Sequence, residues 1–169
     1  TLKHVKELML VYRLDGLQSS AVIMQQIYLD LQAWKDRGNN VVGLQVDFDS
    51  ATGDLALYKD FLREIRAQLP VSYQLSITGL MDWINYSSGN LDLNFLDEVV
   101  LQTYQGRQSV ADLDIYLAKL VQQGLPFATS FKLGSIEGAS LPNDRLLKIA
   151  DDPNFCGCVT FLLPRHSRK

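Results

Sequence analysis

The chain predicts an α/β protein built on a parallel β-sheet, and three features of its 169 residues support this class. Short apolar runs alternate with longer segments of helical periodicity. The apolar runs are hydrophobic almost throughout, which is typical of parallel strands covered by helices. Corresponding strand positions recur at intervals of roughly 30 residues, the length of one βα unit. Since no linker or low-complexity tract interrupts the pattern, we expect one domain over residues 1–169.

The strand candidates are apolar runs bounded by turn residues. In chain order they are Glu7–Leu14, Val41–Asp49, Gln74–Leu80, Glu98–Tyr104, Pro126–Lys132 and Gly157–Leu163.

The helix candidates lie between these strands and have recognisable ends. In chain order they are Ser20–Arg37, Asp54–Leu69, Leu91–Phe95, Val110–Gln123 and Asn143–Ala150. Ser19 or Ser20 is expected to cap the first helix and Ser109 the fourth. Gly38 and Gly124 follow those two helices, and glycine is the residue that most often ends a helix.

The polarity of alternate strand positions distinguishes a barrel from an open sheet. If Asp47 points inward, its inward neighbours are Arg13, Gln45, Ser76, Thr78, Gln102, Tyr104, Ser130 and Lys132. Helices on both faces of an open sheet would bury these polar groups, whereas a barrel gathers them at the carboxyl ends of its strands. The sequence therefore predicts a (β/α)8, TIM-barrel-like fold. Only six βα units are visible, so we expect the first two to be missing, with a smaller open sheet as the alternative.

Composition excludes several classes of function. The net charge of −3 and the pI near 5.3 leave no basic surface for a nucleic acid. No apolar run is long enough for a membrane-spanning segment. The two histidines, His4 and His166, lie near the termini, and Cys156 and Cys158 flank one glycine. This spacing fits neither a disulfide framework nor a zinc site, so we expect buried thiols, no metal and no cofactor.

The strand Gly43–Asp49 carries the strongest functional signal. Asp47 and Asp49 alternate with Val46 and Phe48, so the two carboxylates share one face with Cα atoms roughly 6–7 Å apart. Burying two acids on one face is costly unless the site is wet or functional. This pattern indicates an active-site strand, with a structural ion pair from Asp47 to Arg13 or Lys132 as the alternative.

Further candidates follow from their expected places at the carboxyl ends of strands. Arg13 and Asp15 close the first strand, and Lys132 is expected to end the fifth. Trp83 follows the third strand, where its ring can stack on a sugar, with a place in the core as the alternative. Gln45, Gln102 and Tyr104 share the inward face with the two aspartates.

Two segments resemble a known family. The stretch GLQVDFDSATGDLALYKDFLREIRAQLP, followed by LSITGLMDW, is similar to an uncharacterised bacterial barrel family, domain of unknown function 3142. The similarity is expected to extend over nearly the whole chain. It implies a (β/α) barrel exported to the periplasm or cell envelope, and assigns no reaction.

A more distant resemblance implies chemistry. Family 18 glycoside hydrolases carry DGxDxDxE on the fourth strand, and its last residue is the general acid. Here Gly43 and Asp47 match, Asp49 stands at the acid position, and Val42 and Gln45 replace aspartates. Placing Asp47 on a fourth strand makes the remaining strands run to eight.

The same family has a Tyr-Asp pair two strands later. Thr103-Tyr104-Gln105 stands at this point, with Gln105 in place of the aspartate. Tyr104 is therefore expected either to bond a reaction intermediate or to fill the interior of the barrel.

These observations predict a glycoside-hydrolase-like protein that acts on or binds a carbohydrate. Since neighbouring carboxylates repel one another, Asp49 is the expected proton donor and Asp47 the ionised partner, with Tyr104 beside them. The main alternative is a barrel that binds a glycan or cell-wall component without turnover. A third hypothesis is self-association through the open edges of an incomplete barrel.

Overall fold

The computed structural model describes residue 2 and residues 4–17, 19–86 and 91–162. His166, and Leu163 at the end of the last expected strand, lie outside these residues. No helix within the described ranges is long and apolar enough to cross a membrane.

The described residues form eight strands and four α-helices. The strands are β1 (Leu8–Arg13), β2 (Val41–Asp47), β3 (Gln74–Leu80), β4 (Glu98–Gln102), β5 (Tyr104–Gln105), β6 (Gln108–Ser109), β7 (Phe131–Ile136) and β8 (Phe155–Phe161). The helices are α1 (Ser20–Asp36), α2 (Leu55–Gln68), α3 (Leu113–Gln123) and α4 (Asn143–Ile149). Two 3₁₀ turns, Thr52–Asp54 and Met81–Asn85, follow β2 and β3.

Six strands form one parallel sheet in the order β1-β2-β3-β4-β7-β8. The sheet is curled into a half-barrel, which confirms the α/β class and agrees with an incomplete barrel. Strands that lie side by side in chain order are what consecutive βα units produce when every crossover has the same hand. β5 and β6 form a separate antiparallel hairpin beyond the carboxyl end of β4.

The outer face of the sheet packs against the helices and contains the hydrophobic core. α1 buries Met24, Ile27 and Leu31, spaced three and four residues apart on one face. α2 buries a similar stripe, which includes Tyr58 and Ile65. These apolar stripes pack the helices against the sheet.

The inner face is polar at two levels, because polar residues alternate with apolar ones along each strand. Near the amino ends, Gln45 Nε2 donates to Ser76 Oγ at 2.9 Å, and Lys132 Nζ lies 2.6 Å from Glu98 Oε2. Near the carboxyl ends, Arg13 lies opposite Asp47 in the β1–β2 register. Gln45, Ser76 and several of their neighbours on this face are buried, so hydrogen bonds and ion pairs within the face satisfy its polar groups.

One expected helix and one expected helix cap differ from the structure. The helix expected at Leu91–Phe95 is absent. Leu91 and Leu93 are buried in irregular chain, and Asp92 Oδ1 accepts a hydrogen bond from the Asn94 amide in a turn. Ser109 belongs to β6 and does not cap α3, whose N-cap is Asp112.

The fifth sheet strand begins five residues later than expected. β7 starts at Phe131 and continues through Gly134 to Ile136. Residues 126–130, expected as strand, form the approach to it. Lys132 therefore lies near the start of its strand and not at its end.

Candidate functional site

A cleft of about 600 Å³ opens at the carboxyl ends of β1–β4. Its walls come from these strands, from the 3₁₀ turn after β3, from the β5–β6 hairpin and from α3. The residues that line it include Arg13, Asp47, Asp49, Asp82, Gln102, Tyr104, Gln105 and Tyr116. This is the end of a parallel sheet where catalytic and binding groups generally gather.

Asp47 lies at the centre of a hydrogen-bond network that joins four neighbouring strands. Its Oδ1 accepts from Thr78 Oγ1 at 2.6 Å, from Arg13 Nη1 at 3.1 Å and from Gln102 Nε2 at 3.2 Å. All three bonds go to the same oxygen, so Oδ2 is the oxygen that a ligand can use. The carboxylate is thus held in one orientation by side chains from β1, β3 and β4.

Arg13 connects the two aspartates. Its Nη2 lies 2.6 Å from Asp49 Oδ2, and its Nη1 donates to Asp49 Oδ1 at 3.2 Å. This planar, two-point pairing is the strongest arrangement that a guanidinium and a carboxylate can form. The ion pair expected between Arg13 and Asp47 is confirmed, and the same guanidinium also binds Asp49. These bonds raise the pKa of Arg13 above its ordinary value, with the Asp49 bond the largest cause.

Tyr104 lies in the β5–β6 hairpin at the rim of the cleft. The sequence predicts it at the end of a main-sheet strand, and this prediction is wrong. Its ring packs 5.5 Å from that of Phe161, which leaves the other side of the residue toward the cleft. Burial raises the pKa of the Tyr104 hydroxyl, and the charges of Asp47 and Asp49 raise it further. The phenol therefore remains a hydrogen-bond donor at all ordinary pH values.

Two residues that the sequence analysis did not single out belong to this region. Asp82 lines the cleft; its Oδ2 accepts from Thr52 Oγ1 at 2.7 Å, while Oδ1 is buried without a hydrogen-bond partner among the described residues. The sequence could have indicated Asp82, since this acidic residue lies two positions after the end of β3. Tyr58 is 1% exposed on α2, and its hydroxyl also lacks a partner there. Nothing in the helical pattern distinguishes Tyr58 from an ordinary core residue.

Trp83 does not offer a ring to a ligand, so this expectation is wrong. It is fully buried, and its ring lies against Gly79 and 6.2 Å from the Tyr58 ring. Its Nε1 donates to the Ser50 carbonyl at 3.0 Å. The 3₁₀ turn directs the indole back over β3 into the core, because Gly79 has no side chain to exclude it.

Three other expected site residues lie apart from the cleft walls. Lys132 is paired with Glu98 near the amino ends of the strands, on the inner face but at the other level. Gln45 is buried on the same level, bonded to Ser76. Asp15 is exposed after β1 and is not among the cleft-lining residues. The structure brings Arg13, Asp47, Asp49, Gln102 and Tyr104 together and leaves these three out.

A second groove of about 560 Å³ lies at the opposite end of the molecule, between the loops that precede β7 and β8. Its walls are loop residues such as Pro126, Phe127 and Pro153 together with the ends of α3 and α4. It holds no network comparable with that around Asp47. Over the described residues, no group of three His, Cys, Asp or Glu side chains is placed to hold a metal ion.

The thiols differ from expectation as well. Cys156 and Cys158 are exposed on β8, an edge strand of the sheet, and neither forms a disulfide. The prediction that they are buried is wrong, since no described helix covers the side of β8 on which they lie.

Fold and site together define an α/β protein with a polar, carboxylate-bearing cleft at the carboxyl end of a parallel half-barrel. The chain belongs to the family described as Domain of unknown function (DUF3142), whose model matches residues 5–123. The match includes all the cleft-lining residues named above and ends before β7, so it is shorter than the near-complete coverage expected. No curated protein and no solved structure matches the chain.

Proposed function

We propose that this protein recognises a carbohydrate in the cleft at the carboxyl end of its half-barrel. The observation that carries the proposal is the fixed carboxylate of Asp47, which offers Oδ2 to the cleft while three side chains hold Oδ1. Sugar hydroxyls need acceptors of this kind, held in advance so that little ordering is required on binding. The phenol of Tyr104 and the ring of Tyr116 add the flat amphipathic surfaces on which sugar rings pack.

The arginine favours recognition over acid catalysis. Asp49 was the expected proton donor, but both of its oxygens accept hydrogen bonds from Arg13. A carboxylate held in this way is an acceptor, whereas a general acid must carry a proton to the leaving oxygen. Arg13 has to move away before Asp49 can serve as a donor.

Glycoside hydrolysis is the second candidate, and the closeness of the two carboxylates favours it. Asp47 Oδ1 and Asp49 Oδ1 share Arg13 Nη1, at 3.1 and 3.2 Å. These two oxygens are therefore closer together than the ~6.5–9.5 Å that separates the carboxyl groups of inverting glycosidases. If this protein is a hydrolase, the geometry favours retention of configuration. The hydrolase hypothesis also includes the resemblance to family 18 glycoside hydrolases, and it proposes a complete (β/α)8 barrel.

A binding measurement with two matched variants tests the proposal. Titration of the protein with a panel of neutral, amino and acidic oligosaccharides should give heat of binding for at least one. Asp47→Asn should weaken that binding by about 10- to 150-fold, since a hydrogen bond to a charged group contributes about 1.5–3 kcal/mol. Asp92→Asn is the control, because Asp92 also forms an ion pair with an arginine, Arg63, and is not among the residues that line the cleft.

Product analysis in the same samples separates the two candidates. Binding without any cleaved product, retained in Asp49→Asn, supports recognition alone. Turnover that Asp49→Asn abolishes while the fold stays intact supports the hydrolase. Failure of every oligosaccharide to bind, or equal loss in Asp92→Asn, contradicts a carbohydrate site in this cleft.

A further inference from the structure

The charges in the cleft are unbalanced. Three carboxylates line it, those of Asp47, Asp49 and Asp82, and Arg13 is the one cation among the lining residues. Arg107 lies in the neighbouring hairpin but is not part of the lining. The other lining groups are amides, phenols and apolar side chains. The cleft therefore carries a negative potential, which the concave shape strengthens.

Arg13 offers little attraction to an anionic ligand, because the charges of Asp47 and Asp49 offset that of its guanidinium. Three hydrogen bonds tie its guanidinium to Asp47 and Asp49. An acidic sugar would have to displace a carboxylate that is already held at two points, and it would meet the remaining ones at close range. Like charges brought together in this way oppose binding.

Two carboxylates remain with part of their bonding capacity unused. Among the described residues, Asp47 accepts side-chain hydrogen bonds through Oδ1 alone, and Asp82 accepts one through Oδ2 from the Thr52 hydroxyl. No ion pair to Asp82 is found among the described residues. A cation entering the cleft would therefore meet Asp47 Oδ2 directly and would be attracted by the charge of Asp82.

We infer that the sugar recognised here carries a free ammonium group, as a 2-amino-2-deoxy sugar does, and is not acidic or N-acylated. This inference rests on the proposed carbohydrate site and names its ligand class. The ammonium donates to Asp47 Oδ2, while the hydroxyls of the sugar reach Gln102 and Tyr104. Acylation converts the ammonium into a neutral amide and removes the attraction.

Three oligosaccharides of equal length and linkage provide the test: one of glucosamine, one of N-acetylglucosamine and one of glucuronic acid. The titrations are made at a pH of about 5, where the amino groups of the glucosamine oligomer are protonated and the acid groups of the glucuronic acid oligomer are ionised. The glucosamine oligomer should bind about tenfold more tightly than the N-acetylated one at low salt. This preference should shrink as ionic strength rises, because a partly exposed charge pair is screened. The glucuronic acid oligomer should bind most weakly.

Asp82→Asn is the diagnostic variant, since it removes one charge and keeps the bond to Thr52. It should reduce the preference for glucosamine over N-acetylglucosamine several-fold. Asp92→Asn removes the same charge far from the cleft and should leave the preference intact.

The outcomes separate this inference from the proposed function. If the N-acetylated or acidic oligomer binds as tightly as glucosamine, the ligand class is wrong while the carbohydrate site stands. If the preference survives unchanged in Asp82→Asn, the cleft charge does not cause it, and the inference is overturned. If no oligomer binds, the carbohydrate site fails and the inference fails with it.

Discussion

Tyr58 is deeply buried, and its hydroxyl has no hydrogen-bond partner among the residues that the structure describes. The residue is 1% exposed, and its ring packs between Phe48, Phe61 and Trp83. A buried hydroxyl without a hydrogen-bond partner costs about 1–3 kcal/mol of folding free energy. The ring therefore stabilises the core while the hydroxyl weakens it.

Removing this hydroxyl should stabilise the protein. We expect Tyr58→Phe to raise the free energy of unfolding by about 1 kcal/mol, measured by urea denaturation. Tyr12→Phe is the matched control, because the Tyr12 hydroxyl donates to Asp30 and its removal should lower stability. A loss of stability in Tyr58→Phe as large as that in Tyr12→Phe would mean that the Tyr58 hydroxyl is bonded in solution.

The same variant should change how the stability of the protein depends on pH in the alkaline range. Burial raises the pKa of Tyr58 above its ordinary value, and the charges of Asp47 and Asp49 raise it further. The unfolded state therefore loses this proton first, at a pH of about 10, and binds fewer protons than the folded state above it. Stability is complete below that pH and falls as the pH rises beyond it. The urea midpoint should fall less steeply in Tyr58→Phe, and some slope should remain, because the pKa values of Tyr12 and Tyr104 are also raised.

At the level of elements, the contact between β3 and the turn that follows it fixes the floor of the site. A Cβ built on Gly79 would lie 2.8 Å from two ring carbons of Trp83 and 3.2 Å from a methyl carbon of Val99. Trp83 in turn donates to the Ser50 carbonyl beyond β2. The glycine thus determines how close the loops after β2 and β3 can lie.

Gly79→Ala should therefore destabilise the protein by about 1–3 kcal/mol, the usual cost of overpacking a core. A shift in the urea midpoint measures the loss, and a changed near-ultraviolet circular dichroism signal should report the displaced indole. Gly53→Ala is the control, since nothing lies within 4 Å of the added carbon. Equal effects of the two substitutions would refute the close contact.

The position of β7 shows how tertiary contacts shift an element. The sequence predicts a strand at Pro126–Lys132, but Phe127 is buried in the loop before β7. Gly134 lies within β7, and a Cβ there would lie 2.6 Å from the Phe161 ring. The strand needs its glycine in order to admit Phe161 from β8.

At the scale of the whole molecule, the half-barrel leaves two sheet edges. Within the described residues, β1 and β8 each pair on one side only. Val11 on β1 is 55% exposed. Unpaired strand edges with exposed apolar side chains favour pairing with another chain.

We therefore expect association that increases with protein concentration, as measured by light scattering. Val11→Lys should reduce it, because a charged side chain on an edge strand opposes pairing. Val71→Lys is the control: Val71 is 98% exposed in a loop and should not contribute. A single monomer mass at every concentration, or equal effects of the two variants, would exclude an edge-based interface.

The sequence alone determined the parallel α/β sheet and the strands that carry the site. Helical and strand periodicities are local, so the boundaries of β3 were predicted to the residue and those of β1, β2, α1 and α2 within two residues. The strand period of two also placed Asp47 on one face with Arg13, Thr78 and Gln102, where the structure joins them.

Only the tertiary structure decided which of these polar side chains meet. Partners such as Arg13 and Asp49, or Lys132 and Glu98, lie on strands or turns more than 30 residues apart, and their contact depends on strand register. The sequence predicts that Trp83 contacts a ligand, because its position after β3 can be read from the sequence. The space beside Gly79 that accepts its ring cannot be read from it. Register and packing are set by the simultaneous fit of the whole core, so no local pattern contains them.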